Sequence, residues 1–261
     1  MRNIYRIILI FAVALLLCAC AKEEPLPESI PQTEPTATEP MTLPMPETVS
    51  SHSPLYLPDH TLAEIQAYFE EVVLNIEYTD GTGNANVVQK WLGPIWYKVY
   101  GTPTDEDLAV LQGLFDQLNA ISGFPGIYAV EHAGQENMSL SFLEPDAFRE
   151  GFSHVVHGED AYGATQFWYY TETNELHTAR IGYRTDLDQS IRNSVLLEEI
   201  INTLGVSDTV LRPDSIVYQY SNENTSLSDV DLVMLKLLYD PAIQCGMDAE
   251  SCAAIIRERY Y

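Results

Sequence analysis

Leu197-Glu198-Glu199-Ile200-Ile201-Asn202-Thr203-Leu204-Gly205-Val206-Ser207-Asp208 is the stretch on which the fold of this chain turns. Leu197, Ile200, Ile201 and Leu204 recur at helical spacing and make an apolar stripe that must face a core. Glu198 and Asn202 stand at i, i+4, on one face beside that stripe. Glu199 adjoins them, Gly205 closes the helix, and Asp208 follows three residues later. Three carboxyls and one amide are thus gathered around one helix end. The plain alternative is that these four residues only wet the outer side of an amphipathic helix.

The neighbouring sequence places this helix late in an α+β domain. Thr61 to Ile76 reads as a helix capped by Asp59 or Thr61, and Ile95–Tyr100 as a strand ended by Gly101. Thr104 to Ile121 returns to helical period. Strands are expected at 126–131, 138–143, 164–171 and 175–183, while 146–157 is ambiguous. Asp186-x-x-Gln189 has the form of a capping box for the helix that ends at Leu204-Gly205. Ser228 with Asp231 opens another helix, which stops before Pro241, and 248–259 forms the last. No internal repeat is present.

In register, the quoted stretch resembles the metzincin zinc-peptidase signature His-Glu-x-x-His-x-x-Gly-x-x-His. Glu198, Asn202 and Asp208 fall on the three histidine positions, Glu199 on the general base and Gly205 on the turning glycine. Ser215-Ile216-Val217-Tyr218 sits where such enzymes have their methionine turn, and 227–239 resembles their closing helix. More narrowly, Glu198-Glu199-x-x-Asn202-x-Leu204-Gly205, Leu238-Tyr239-Asp240-Pro241 and Gly246-Met247 resemble the bacterial domain-of-unknown-function family numbered 2927, over about residues 175–260. The resemblance implies a zincin-like fold: a small mixed sheet, an active-site-type helix and C-terminal helices. It also makes Glu175–Tyr183 the expected sheet edge for peptide addition.

The donors depart from that pattern. Zinc prefers imidazole nitrogen and thiolate, whereas two carboxylates and an amide suit calcium, magnesium or manganese. The expectation is a non-catalytic binding or scaffolding domain without a cofactor, its ligand a peptide or envelope glycan. The enzyme alternative is a hydrolase with a divalent cation on Glu198, Asn202 and Asp208 and Glu199 as base. His154-x-x-His157 with Glu159 and Asp160 is a looser metal candidate. Trp91, Trp96, Trp168, Tyr169 and Tyr170 are either strand core or a glycan-binding face. No phosphate loop, dinucleotide fingerprint or serine elbow occurs.

The N-terminus sets location. Arg2 and Arg6 precede the apolar run 7–17, which is the length of a signal-peptide core and too short to span a bilayer. Leu17-Cys18-Ala19-Cys20 then reads as a lipoprotein cleavage site, with Cys20 acylated and the protein held on the extracytoplasmic face of the cell membrane. Residues 20–53, rich in Pro, Glu and Thr, read as a disordered spacer, and 54–261 as one domain. The chain has 13 basic and 38 acidic residues. Removing residues 1–19 takes away two arginines, so 11 against 38 leaves −27. Such a charge argues against nucleic acid. Outside the cytoplasm Cys245 and Cys252 are expected to form a disulfide.

Overall fold

The computed structural model describes residues 53–76, 86–155 and 161–260. The expected signal peptide, the expected acylation site Cys20 and the expected spacer up to residue 52 lie outside the described residues, as do His157, Glu159 and Asp160. Helix α1 (Leu62–Leu74) is opened by Thr61, whose hydroxyl accepts from Glu64 N–H while the Glu64 carboxylate accepts from Thr61 N–H. That reciprocal cap satisfies two otherwise orphaned donors. Its face of Ile65, Phe69, Val72 and Val73 is buried.

Six strands form one mostly parallel sheet: β1 (Lys90–Trp91), β2 (Ile95–Gly101), β3 (Ile127–Ala129), β4 (Met138–Leu143), β5 (Gly163–Tyr170) and β6 (Glu175–Arg184). The order is β1-β6-β4-β2-β3, with β5 antiparallel along the other side of β6. Helix α2 (Asp105–Asn119) links β2 to β3. Helix α4 (Gln189–Asn202) follows β6, and α5 (Asp229–Leu238) and α6 (Ala249–Tyr260) end the described chain. This is an α+β architecture with C-terminal helices. One sheet face, carrying Ile95, Met138, Leu140, Phe142, Ala179 and Ile181, packs into the main core with α1, α2, α4, α5 and α6.

Three expectations are corrected. Glu175–Tyr183 is not an edge, since β6 is paired on both sides; the edge strand beside it is β5. Helix α3 (Pro145–Gly151) takes up the start of the ambiguous stretch 146–157, with Pro145 in its first turn. It buries Phe148 and Phe152 on the opposite sheet face, where Gly182 leaves space for the Phe152 ring. Asp186 does not cap α4, because the Arg184 guanidinium takes its carboxylate at 2.8 and 3.0 Å; Asp188 is the N-cap residue. Cys245 and Cys252 are free thiols rather than a disulfide. Cys252 is buried inside α6, and the Cys245 thiol donates to the Lys90 carbonyl 3.6 Å away. Burial pushes both thiols up, Cys252 to about 11.

Candidate functional site

The end of α4 is held from several directions. Its stripe of Leu197, Ile200, Ile201 and Leu204 is buried, as its spacing requires. A helix leaves its last carbonyls without partners; here Trp91 Nε1 donates to Thr203 O at 2.8 Å and Tyr239 OH to Leu204 O at 3.0 Å. Gly205 then turns the chain at φ +94°, a conformation that favours glycine. A Cβ there would also lie 1.9 Å from Gln89 O. Beyond the turn, Ser207 N–H donates to Val72 O at 2.6 Å, and Thr209 Oγ1 to Glu71 Oε2 at 2.7 Å. Thr209 pairs with the segment 217–219, and Ser215, Ile216 and Val217 are buried.

These constraints bring Glu198, Glu199, Asn202 and Asp208 to one cleft. Asn202 Nδ2 donates to Asp208 Oδ1 at 3.0 Å, across the Gly205 turn. Asn222 Nδ2 donates to Glu198 Oε2 at 3.0 Å. Glu199 points to the edge strand, where Thr165 Oγ1 donates to its Oε2 at 2.5 Å. Gly163 makes this possible, because a Cβ on it would stand 2.4 Å from Glu199 Oε1. Neither Thr165 nor Asn222 carries a local sequence signal, since each meets its partner only through the tertiary fold. Asn202 Oδ1 is buried without a partner.

Burial removes water that would stabilise the charged carboxylates and so raises their pKa. Glu198 is pushed up to about 9, first by burial and then by the charges of Glu199 and Asp208, against the Asn222 bond. Glu199 rises to about 8 through burial, against the Thr165 bond, with Asp208 adding to the rise. Asp208 is open to solvent on one side but walled by protein elsewhere. That enclosure raises its carboxyl, and the Asn202 bond opposes it. Near neutral pH the Glu198 and Glu199 carboxyls are therefore held mostly in their protonated form.

The donor set does not fit zinc. Its three candidate ligands are oxygen donors, and two are occupied by amide N–H groups. Among the described residues no three His, Cys, Asp or Glu side chains stand close enough to share a metal ion. His154 is exposed after α3. Trp91 is core, whereas Trp168 and Tyr170 stand exposed on β5 and Tyr169 packs inward. A separate cavity of about 450 Å³ is lined by Lys90, Trp91, Tyr239, Ile243 and Cys245. Lys90 Nζ there donates to the carbonyls of Leu238 and Ile243 at 2.8 and 2.5 Å, so its ammonium closes the end of α5.

A family model described as "Protein of unknown function (DUF2927)" matches residues 62–258, spanning the sheet, the cleft and the C-terminal helices. No curated protein matches the chain.

Proposed function

The chain belongs to the DUF2927 family, and for this member we propose a non-catalytic peptide-binding domain on a zincin-like scaffold, carried outside the cytoplasm by a lipid on Cys20. The observation that carries the reading is the pairing of the cleft carboxyls. Thr165, Asn222 and Asn202 each give a neutral donor to one of them, and burial favours their protonated forms. A cleft so arranged offers hydrogen bonds rather than charge. Beside it runs β5, which pairs only with β6 among the described residues. Such an edge takes an extended peptide as an added strand. The antiparallel edge, the helix directly after β6, the Gly205 turn and the buried 215–217 turn all agree with a zincin-like arrangement.

A hydrolase using Glu199 as base is the second reading. It is favoured by a carboxyl held near 8, within the range useful to a general base. Metal analysis by mass spectrometry of the purified protein separates the two. The wild type is expected to hold little zinc after dialysis. The triple variant Glu198→His, Asn202→His, Asp208→His should approach about one zinc per chain, because it restores three imidazoles in zincin register. Stoichiometric zinc in the wild type would overturn the non-catalytic reading. A folded triple variant without zinc would overturn the zincin-like geometry.

The anchor rests on the register of Arg2, Arg6, the apolar run and Leu17-Cys18-Ala19-Cys20. Cys20→Ser is expected to abolish lipid attachment and leave the protein unprocessed or in the soluble fraction. Persistence of a Cys20→Ser protein, cleaved after residue 19, in washed membranes contradicts the anchor.

A further inference from the structure

The sheet face turned away from α4 is only partly covered. Helix α3 packs on one corner, through Phe148 and Phe152. Strand alternation puts every second side chain of β2, β4, β6 and β5 on this face. The pairing register aligns Lys98, Ser139, Arg180 and Gln166 in one row across the four strands. Beside that row stand aromatic rings at both ends. Trp96 and Tyr128 lie on β2 and β3 with centroids 5.5 Å apart, and Trp168 lies on β5. All three are exposed, at 41, 47 and 42%. From β2 to β5 is three strand intervals, or roughly 14 Å. That is the span of a short chain of sugars rather than a single small ligand.

The central row of this face is cationic in a chain that is strongly acidic. The chain carries −25 overall, yet the central row holds two cations, Lys98 and Arg180. Lys98 Nζ donates to the Glu131 carbonyl at 2.6 Å. Arg180 donates to the Gly151 carbonyl at 2.9 Å and lies over the Phe152 ring. Among the described residues, neither cation has a carboxylate within ion-pair distance. Glu136 stands on the same face as Lys98, its carboxylate taken up by the Tyr100 hydroxyl and Gly134 N–H. Gln166 Oε1, in the same row, is a buried acceptor without a donor.

We propose that this face binds an acidic polysaccharide strand, with sugar rings stacked on Trp96–Tyr128 and Trp168 and sugar carboxylates meeting Lys98 and Arg180. The C–H-rich side of a pyranose packs on an aromatic ring, and its hydroxyls hydrogen-bond polar groups between the platforms. Carboxylate against ammonium or guanidinium gives the stronger, charge-assisted bonds. A purely apolar partner would leave both cations unanswered. The site is independent of the α4 cleft, from which it is separated by the thickness of the sheet.

Intrinsic tryptophan fluorescence and calorimetry on the purified full-length protein in detergent test this. The probes are β-1,4-linked mannuronate hexamer and its neutral counterpart, mannohexaose. The acidic hexamer is expected to bind about tenfold more tightly than the neutral one, and less tightly as salt rises. Trp168→Ala and Lys98→Gln, both at surface-accessible positions, should each weaken the acidic hexamer by about tenfold. Asn202→Ala, in the cleft, should not. Absence of binding, equal binding of both hexamers, or equal binding of a glutamate hexapeptide would each overturn the proposal. So would a loss of binding confined to Asn202→Ala, which would move the site to the cleft.

Discussion

Replacing Asp107 by alanine is expected to destabilise the domain by about 3–5 kcal/mol, the cost of leaving a buried charge without its partner. Asp107 is fully buried in the first turn of α2. Its Oδ1 accepts from Arg192 Nε at 3.1 Å and Gln189 Nε2 at 2.7 Å, both on α4. Its Oδ2 accepts from Thr104 N–H at 2.8 Å and from Arg192 Nη2. One carboxylate thus caps α2 and clamps the start of the helix that carries the cleft. Among the described residues the Arg192 guanidinium, 7% exposed, has one other hydrogen-bond partner, the Thr185 carbonyl at 2.9 Å. Urea denaturation should show the midpoint fall with an unchanged slope, and heating should show a melting temperature lower by roughly 8–16 °C. The double variant Asp107→Leu, Arg192→Met should recover most of the loss, because removing both charges also removes the desolvation cost. If Asp107→Ala costs under about 1 kcal/mol, within the range of a surface pair, the clamp is not what holds α4.

Local patterns were enough for α1, α2, α4, α5, α6 and most strands. The α1 stripe, the Ser228–Asp231 capping box of α5 and the 138–143 strand are found where periodicity and capping chemistry place them. What local sequence lacks is competition between partners. Asp186 and Gln189 have the spacing of a cap, but Arg184 claims the first, while Gln189 reaches to Asp107 and Asn193. Strand β1 is only two residues long and exists because Lys90 and Trp91 meet the start of β6, far along the chain. The cleft follows the same rule. Glu198, Asn202 and Asp208 were legible because one helix and one glycine turn bring them together. Thr165 and Asn222 were not, since their partners lie 34 and 24 residues away. The disulfide expectation failed for a related reason. Redox compartment says whether thiols can pair, whereas the packing of α6 decides where Cys252 points.

Raising the pH from 6 to 8 is expected to weaken the domain, and the double variant Glu198→Gln, Glu199→Gln should remove that loss. In the unfolded chain both carboxyls ionise near their ordinary 4.5, whereas in the fold they are held up to about 9 and about 8. Between those limits the folded chain binds more protons than the unfolded one, so stability falls as pH rises. It is greatest at or below about pH 4.5 as far as these two groups are concerned. The loss stops once the folded carboxyls themselves titrate. Each group contributes a slope of at most about 1.4 kcal/mol per pH unit. Both groups are half-buried at the cleft, where water relieves part of the cost, so roughly 2–3 kcal/mol over the two units is expected. Glutamine copies the protonated carboxyl: its carbonyl oxygen still accepts from Asn222 or Thr165, and it carries no proton to lose. Denaturant midpoints should coincide for the two proteins at pH 5 and separate at pH 8, with the variant the more stable. An oxygen-ligated cation site would reverse this order, because calcium at pH 8 would then stabilise the wild type and lose two ligands in the variant. Parallel curves from pH 5 to 8 without added metal would show that the cleft carboxyls ionise freely, and the hydrogen-bonding cleft proposed for peptide would then be a charged one.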